Sequence, residues 1–381
     1  MSRWYFLVGK YCLFCGIIDT VLERSKKTME KRKFGKNTKG EDAVLYSFKN
    51  KNGMEMVVSD FGATLHSLMV PDQEGRLCDV VLGYDSPEGY EGPGGTFFGA
   101  TVGRSANRIG KATFELNGKT YHLDRNKGEN NLHSGFDFYS FRIWKVEEIK
   151  EDGITFSLHS PDGDQGYPGE LDIQVTYTLT DENEVKIAYY GVPKADTIIN
   201  MTNHSYFNLN GHASGTILDQ EVWMDADAFT DTDEDQIVNG TIVPVVGTPM
   251  DFRTKKKVGQ DIEADYRALN IGKGYDHNWI LNNEGKFAKV AELSSELSGI
   301  TMEVYTDLPG VQIYTGNYIE NEVGKQGIVY HQRQGICFET QFAPNAINCE
   351  GLQSPICRAN EVYQTMTAFK FTRGNENESA R

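Results

Sequence analysis

The stretch Leu171-Asp172-Ile173-Gln174-Val175-Thr176-Tyr177-Thr178-Leu179 alternates apolar and polar side chains along its whole length. Alternation with a period of two is typical of a β-strand that buries one face and exposes the other. The odd-numbered positions of this stretch form the apolar face. The neighbouring runs 154–158 and 184–190 alternate in the same way. Together these runs predict a β-sheet that covers a core on one side.

Short alternating runs, separated by turn residues, continue from residue 44 to a closing run at 365–371, which is the pattern of a protein made mostly of strands. Runs 44–48 and 54–58 flank a glycine-containing turn and predict an opening hairpin. Asn117-Gly118 between two further runs is the preferred pair for a type I′ hairpin turn. We expect a loop at 87–95 and one short helix within 259–270. The expected fold class is all-β, with few short helices.

The composition describes a globular protein with a neutral ligand. The chain has 381 residues and a formal net charge of −16, so it has no basic surplus with which to bind nucleic acid. Six cysteines are too few for a disulfide scaffold in a chain of this length. Reduced thiols and a cytoplasmic location are therefore expected. The Cys12-x-x-Cys15 pair has no second pair at the spacing of a zinc site, and we expect no metal there.

The chain shows no composition break between residues 40 and 373, so we expect one domain over that range. Residues 1–39 are expected to be an N-terminal extension, and residues 374–381 a polar tail. The apolar part of the extension is interrupted by Lys10 and Asp19, which argues against a signal peptide or a membrane span. We predict that translation starts at Met29, and that residues 1–28 are poorly ordered or not native.

The run Thr202-Asn203-His204-Ser205-Tyr206-Phe207-Asn208-Leu209 carries an unusual set of polar side chains. In a single strand, the four even-numbered residues would share one face. Hydroxyl, imidazole, phenol and amide groups make a poor core, but they can exchange hydrogen bonds with a polyhydroxylated ligand. The run thus predicts the wall of a polar binding cleft; the alternative is that His204 is an interior histidine with a structural role.

Glu339 lies in the run 335–341, where alternation places it on the same side as Cys337 and Gln341. Partial desolvation there would raise the carboxyl pKa from its reference of about 4.3 towards the range useful for a base. A structural salt bridge is the alternative. The acidic loop that starts at Asp231 does not have calcium-binding spacing, because Gln236 occupies the sixth position, where glycine is needed.

Several short motifs, in the same order along the chain, resemble those of the aldose 1-epimerases, the mutarotases of the galactose mutarotase type. The resemblance covers about residues 40–373. The segments 103–109 and 131–135 are similar to the family's G-R-x-A-N-R-I and N-x-L-H-G-G, and 202–209 is similar to T-N-H-x-Y-F-N-L. Segments 275–278 and 309–312 are similar to Y-D-H-N and P-G-V-Q. The segment 335–348 is similar to G-x-x-x-E-T-Q-x-x-P-D-A-x-N.

The resemblance implies a large antiparallel β-sandwich, the supersandwich, with a sugar cleft on one sheet. It implies that Glu339 takes the proton from the anomeric hydroxyl and that His204 protonates the ring oxygen. The resemblance also implies which residues bind the sugar ring and its hydroxyls, namely Asn107, Arg108, His133, Asp276 and Gln312. The implied reaction opens and recloses the ring of a free aldohexose of the glucose or galactose type. It needs no cofactor and no metal.

The same resemblance leads to further expectations about the site. A nearby carboxylate, Glu339 or Asp276, would favour the protonated form of His204. Tyr206 could stack on the apolar face of the sugar, whereas we expect Trp279 to pack in the core. The expected partner is a small free sugar, bound by a monomer or homodimer with no role for nucleic acid or membrane. Two departures, Ser134 for a usual glycine and Asn345 for a usual aspartate, affect loops beside the site.

Three other functions remain possible at the level of the sequence. The first is a carbohydrate-binding protein that has kept the fold and lost turnover. The second is a glycoside hydrolase that uses Glu339 and Asp276 as its two carboxylates. The third is a phosphosugar epimerase, which would need a denser basic pocket than Arg104 and Arg108 provide.

Overall fold

The computed structural model describes residues 29–92 and 96–374. The predictions about residues 1–28, including the Cys12-x-x-Cys15 pair, lie outside the described residues. So do residues 93–95 of the expected loop and residues 375–381 of the expected tail.

Strands account for most of the regular structure, and they are numbered here in chain order. The first ten are β1 (Glu30–Lys36), β2 (Asp42–Lys49), β3 (Glu55–Ser59), β4 (Thr64–Pro71), β5 (Leu77–Asp79), β6 (Thr101–Val102), β7 (Arg108–Ile109), β8 (Thr113–Leu116), β9 (Lys119–His122) and β10 (Asn131–Leu132). The next ten are β11 (Lys145–Ile149), β12 (Gly153–Ser160), β13 (Leu171–Leu179), β14 (Glu184–Pro193), β15 (Thr197–Ile198), β16 (Thr202–Asn203), β17 (Tyr206–Phe207), β18 (Glu221–Met224), β19 (Ala228–Thr232) and β20 (Val238–Pro244).

The last ten strands are β21 (Lys256–Lys257), β22 (Asp276–Ile280), β23 (Ala288–Ser294), β24 (Ile300–Thr306), β25 (Gly310–Tyr314), β26 (Glu322–Val323), β27 (Val329–Tyr330), β28 (Ile336–Gln341), β29 (Ile356–Cys357) and β30 (Tyr363–Arg373). Two short α-helices, α1 (Pro87–Tyr90) and α2 (Arg267–Gly272), lie in the described residues. No helix in residues 29–92 or 96–374 has the length and apolar character needed to cross a membrane.

Three large antiparallel sheets build the molecule. The nine-stranded sheet has the order β11-β12-β13-β14-β30-β24-β23-β18-β21, and the six-stranded sheet has the order β17-β28-β25-β22-β19-β20. The third sheet pairs β1 to β5 in sequence order. Pairs of short strands, among them β7 with β10 and β6 with β16, connect the loops between the sheets.

The nine-stranded and six-stranded sheets pack face to face around one apolar core. Val175 and Tyr177 of the first sheet and Ile313 and Phe338 of the second belong to the same buried cluster. Phe207 of β17 meets Phe369 of β30, with ring centroids 4.8 Å apart. This packing confirms the expected antiparallel β-sandwich, because each sheet buries its apolar face against the other.

Several predictions of individual elements are confirmed. Strand β13 buries its odd-numbered residues, as the alternation predicted. Strands β2 and β3 form the opening hairpin, and β8 and β9 pair across Asn117-Gly118. Asn117 and Gly118 both have positive φ, at 54° and 73°, which a type I′ turn requires.

Other predictions of elements are wrong in detail. Part of the expected loop 87–95 forms α1, which starts at a proline, a residue whose fixed φ suits the first turn of a helix. The expected helix within 259–270 is displaced, and α2 spans Arg267–Gly272 instead. The run 202–209 is two separate strands, β16 and β17, which pair with different partners. Its even-numbered residues therefore do not share one face.

Candidate active site

A cavity of about 150 Å³ opens on the face of the six-stranded sheet that points away from the core. It is smaller than the ~300–1,000 Å³ of sites for drug-sized ligands, which suits a single small molecule. The structure brings six of the seven predicted site residues to its wall, namely Asn107, Arg108, His133, His204, Asp276 and Glu339.

Glu339 reaches the cavity because strand β28 alternates. Its neighbours Ile336 and Phe338 point into the sandwich core, so the residues between and after them face the other way. On the adjacent strands, Gln312 of β25 lies opposite Glu339, and Tyr206 of β17 lies opposite Cys337. The carboxylate is thus fixed on a central strand of a rigid sheet.

His204 lies in the break between β16 and β17. Its backbone N–H donates to the carbonyl of Ala100 at 2.9 Å, and its carbonyl accepts the N–H of Gly99 at 3.0 Å. The imidazole stacks against two aromatic rings, Tyr206 at 5.1 Å and Phe97 at 5.8 Å between centroids. The interrupted strand therefore presents one histidine, packed against two aromatic rings, at the edge of the cavity.

The two predicted catalytic groups meet directly. Nε2 of His204 lies 3.5 Å from Oε1 of Glu339, and the two residues are only 5% and 2% exposed. Burial raises the pKa of Glu339 well above its usual range; the charge of Asp276 adds to this effect and Arg108 opposes it. The raised carboxyl pKa confirms the expectation from the sequence. The second carboxylate oxygen, Oε2, is buried without a hydrogen-bond partner.

The expectation that a carboxylate would keep His204 protonated is wrong. Burial lowers the pKa of His204 to about 4, and a hydrogen bond to the residue's own backbone only partly offsets this effect. The physical reason is the packing of aromatic rings against the imidazole, which removes the water that an imidazolium needs. Since burial also raises the pKa of the partner carboxyl, a single proton on this pair resides on Glu339 rather than on His204.

A chain of hydrogen bonds surrounds Asp276 at the other side of the cavity. Gln312 donates to Oδ1 of Asp276 at 2.7 Å, and Gln236 donates to Oδ2 at 3.2 Å. Gln236 also accepts a hydrogen bond of 2.6 Å from the guanidinium of Arg108, which lies 4.0 Å from Asp276. A fixed anion and a fixed cation are therefore held side by side, each ready to bind hydroxyl groups.

His133 and Asn107 come from two loops that the short β7 and β10 strands join. The backbone N–H of Asn107 donates to Nδ1 of His133 at 3.2 Å. Nδ1 must then be unprotonated, so a neutral His133 carries its proton on Nε2 and can donate it. Burial, aided by His204 and Arg108, holds the pKa of His133 well below its usual range, which favours this neutral form.

Both departures from the family pattern have a structural explanation. Ser134 has φ of 79°, in the region that favours glycine. Its hydroxyl compensates by accepting the N–H of Ser105 at 2.8 Å and donating to the carbonyl of the same residue at 3.0 Å. Asn345 has φ of 57°, accepts the N–H of Gly110 and donates to the carbonyl of Val238.

Some residues that the sequence singled out lie away from the cavity wall. Gln312 is behind Asp276 and does not line the cavity. Arg104 is buried, and it donates to the carbonyls of Pro168 and Gly169. The Asn208 amide donates to two backbone carbonyls. Trp279 is fully buried, as expected, and its indole N–H donates to the carbonyl of Met250.

Three residues near the catalytic pair were not predicted as parts of the site. Phe97 stacks on His204 and also lies 4.7 Å from the ring of His133. Gln236 joins Arg108 to Asp276, and Cys337 contacts His204. The only signal in the sequence was the alternation that places Cys337 on the same side as Glu339. The partners of Gln236 are too far apart along the chain for any local pattern to show them.

Two groups of side chains in the described residues have the donor types of a metal site. His204, Cys337 and Glu339 form a buried group inside the cavity, and His159, Glu170 and Asp172 form an exposed one. Burial raises the pKa of the Cys337 thiol well above its usual range. This disfavours the thiolate that a metal would need.

The sequence and the fold are similar to those of known proteins. The sequence model of the family described as aldose 1-epimerase matches residues 44–370. The galactose mutarotase of Rattus norvegicus is 40% identical over 342 residues, which cover 89% of this chain and 97% of that protein. The aldose 1-epimerase of Haemophilus influenzae is 39% identical over 336 residues, covering 86% of this chain and 95% of the relative. The crystal structure of a galactose 1-epimerase from Lactobacillus acidophilus superposes with a TM-score of 0.79 at 28% identity, covering 91% of this chain and 99% of that one.

Proposed function

The chain belongs to the aldose 1-epimerase family, and from that premise we propose that Glu339 and His204 perform its reaction as a proton-exchanging pair. The protein is an isomerase that interconverts the α and β anomers of a free aldohexose. The observation that supports these two roles is the 3.5 Å contact between Nε2 of His204 and Oε1 of Glu339 in the wall of one cavity.

The chemistry requires two neighbouring groups because both reacting oxygens are bonded to the same carbon. One group takes the proton of the anomeric hydroxyl while the other gives a proton to the ring oxygen, and the bond from C1 to the ring oxygen breaks. The resulting aldehyde rotates about its C1–C2 bond. The ring then recloses on the other face of the carbonyl, and both protons return. A positioned acid group and a positioned base group each increase the rate of such a step by ~10²–10⁴-fold.

The pair must hold one proton for this cycle. Ring closure is the reverse of ring opening, so each group must donate a proton in one direction and accept a proton in the other. A low pKa of His204 and a raised pKa of Glu339 fit this requirement. The proton rests on the carboxyl in the free site, and it moves to the imidazole across the short contact when the base is needed. Two protons or none would leave the pair without an acceptor or without a donor.

We propose that the opposite wall of the cavity binds the sugar hydroxyls. Arg108 and His133 would donate hydrogen bonds, Asp276 would accept them, and the amide of Asn107 could do both. Gln312 acts through Asp276, to which it donates a hydrogen bond of 2.7 Å. Phe97, whose ring lies over both histidines, would shield the reacting atoms from water.

We propose further that residues 40–373, to which β1 (Glu30–Lys36) adds an edge strand, act as one domain in the cytoplasm. We propose that this domain acts as a monomer or homodimer on a free sugar, with neither nucleic acid nor membrane as partner. The net charge of −16 supports the absence of nucleic acid. The four cysteines within the described residues are free thiols, which fits a reducing compartment.

Polarimetry of freshly dissolved single anomers tests the proposed function. We expect the protein to accelerate the change in rotation of α-glucose or α-galactose, and a panel that adds xylose and arabinose would identify the preferred aldose. Sugar binding without faster rotation would favour a carbohydrate-binding protein. Release of aglycone from aryl glycosides would favour a glycoside hydrolase, and either result would overturn the proposal.

A further inference from the structure

Tyr318 lies at the mouth of the cavity. Of the described residues that line the cavity, two are exposed, Lys127 and Tyr318. Tyr318 is 44% exposed and belongs to the loop between β25 and β26, whereas Glu339 and His204 are only 2% and 5% exposed. The proposed catalytic pair therefore forms the floor of the cavity, and Tyr318 forms part of its rim.

Aromatic rings connect the floor of the cavity to its rim. The ring of Tyr314 meets that of His204 edge to face, with centroids 6.3 Å apart. Tyr318 follows, nearly parallel to Tyr314, with an interplanar angle of 19° and 6.4 Å between centroids. The backbone N–H of Tyr318 donates to the Tyr314 hydroxyl at 3.0 Å, and Nζ of Lys273 lies 5.3 Å from the centroid of the Tyr318 ring. These contacts hold Tyr318 as the outer ring of an aromatic wall.

The sequence suggested a different ring, that of Tyr206, for packing on the sugar. Tyr206 is 2% exposed and stacks on His204, so it offers little surface for this contact. Among the aromatic residues that line the cavity, Tyr318 has the largest exposed fraction.

Resting on the proposed function, we propose that Tyr318 is a specificity-determining residue, which favours sugars with an axial hydroxyl at C4 over sugars with an equatorial one. The reaction places C1 and the ring oxygen against Glu339 and His204 at the floor. In a six-membered ring, the C3–C4 bond lies opposite the bond between C1 and the ring oxygen. The C3–C4 edge of the sugar therefore points to the mouth of the cavity, where Tyr318 lies.

The configuration at C4 decides how well a sugar packs against a ring. Galactose and glucose differ only there, and the hydroxyl is axial in galactose. The hydrogens on C3, C4 and C5 of galactose then share one face and form an apolar patch, whereas those of glucose alternate between the two faces. The face of an aromatic ring is negative and attracts polarised C–H bonds. Tyr318 therefore makes the better contact with galactose.

Initial rates with the two sugars test this role. From the strength of aromatic packing, we expect Tyr318→Ala to lose about fivefold to tenfold in kcat/KM for galactose, mainly through KM, and about twofold or less for glucose. Tyr318→Phe keeps the ring and should retain the ratio between the sugars. Tyr190→Ala is the matched control, because Tyr190 lies on β14, is 45% exposed and does not line the cavity.

The outcomes distinguish this inference from the proposed function. Equal losses for both sugars in Tyr318→Ala, or a larger loss for glucose, would overturn the role of Tyr318 in an active epimerase. Failure of the unsubstituted protein to accelerate the change in rotation of either sugar would overturn the proposed function itself.

Saturation-transfer NMR of galactose at anomeric equilibrium tests the contact without depending on turnover. We expect Tyr318→Ala to weaken the signals of the hydrogens on C3, C4 and C5 relative to the hydrogen on C2. Tyr318→Phe and Tyr190→Ala should leave the pattern unchanged. An unchanged pattern in Tyr318→Ala would show that the C3–C4 edge does not meet this ring, and would overturn the proposal.

Discussion

At the scale of single residues, we propose that the protein creates reactivity by removing water from a histidine and a carboxylic acid at once. His204 stacks against Phe97 and Tyr206, and Glu339 lies on a central strand with one oxygen unpartnered. Desolvation favours the neutral form of both groups.

The dependence of activity on pH follows from these shifts. A pair that needs one proton is inactivated below the pKa of His204, which is about 4, and above the raised pKa of Glu339. We therefore expect kcat/KM to follow a bell-shaped curve, with its acid limb near pH 4 and its alkaline limb above the usual pKa range of a carboxyl group. Initial rates by polarimetry, corrected for the spontaneous reaction, measure it. An acid limb near pH 6.5, the ordinary pKa of histidine, would contradict the account.

At the scale of elements, a loop between β19 and β20 contacts two residues of the proposed binding wall. Gln236 in this loop has φ of 61° and connects Arg108 to Asp276. Hydrogen bonds to charged groups contribute ~1.5–3 kcal/mol, so we expect Gln236→Leu to raise KM about tenfold or more, with a smaller effect on kcat. Asn239→Ala at the start of β20, where the Asn239 side chain contacts Asp231 and accepts the N–H of Thr241, is the matched control. Equal KM values for the two variants would contradict the role of Gln236.

A second prediction at this scale concerns a buried ion pair between two distant segments. Lys325 donates to Asp79 at 2.7 Å and to the carbonyls of His66 and Val81, so all three of its hydrogens are used. Removing one partner leaves an unpaired buried charge, so Lys325→Met should cost about 3–5 kcal/mol in the free energy of unfolding.

Urea denaturation of this variant measures the cost, and Lys49→Met is the control. Lys49 is exposed and lies 3.9 Å from Glu55, and exposed pairs contribute only about 0–1 kcal/mol. A similar loss of stability in both variants would show that the buried pair has no special role.

The elements also show what the sequence alone could predict. The alternation of apolar and polar residues was sufficient to predict β13, and the Asn117-Gly118 turn was sufficient to predict the β8–β9 hairpin. Both signals are local in the sequence. The run 202–209 was predicted as one strand, but tertiary pairing divides it between β6 and β28. The break at His204 depends on backbone bonds to residues about a hundred positions earlier, which no local pattern records.

At the scale of the whole molecule, distant parts of the chain assemble one site. Strand β14 pairs with β30, and β25 brings Gln312 opposite Glu339. The family motifs located most of the cavity wall in advance, since each motif is short and contiguous. Contacts between motifs, such as that of Gln236 with Arg108, were not predictable because they arise only when the sheets pack.

The many buried histidines lead to a prediction about global stability. Burial lowers the pKa values of five histidines, namely His66, His133, His204, His212 and His277. In the unfolded chain these groups take up protons near pH 6.5, while in the folded protein His204 and His277 do so only near pH 4. The unfolded state therefore binds more protons, and the free energy of unfolding should fall as the pH decreases from 7 to 5.

Three carboxyls oppose this trend, because burial raises the pKa of Asp60 to about 6 and raises those of Glu339 and Asp307 as well. The five histidines outnumber these carboxyls, so the free energy of unfolding should still increase as the pH rises from 5 to 7. Urea denaturation at pH 7, 6 and 5 measures it, with His159→Gln as a control at an exposed ring. Stability that is constant or higher at pH 5 would contradict the prediction.

The central claim is that Glu339 and His204 act as one unit, and a double-mutant cycle tests it most directly. Polarimetry on a fresh single anomer would compare Glu339→Gln, His204→Asn and the double variant, each with its fold checked by circular dichroism. Residues that act as a unit give strongly non-additive losses. We predict that each single variant loses ~10²–10⁴-fold in kcat, and that the double variant is hardly slower than either. Near-native activity in either single variant, or losses that simply multiply, would contradict the account.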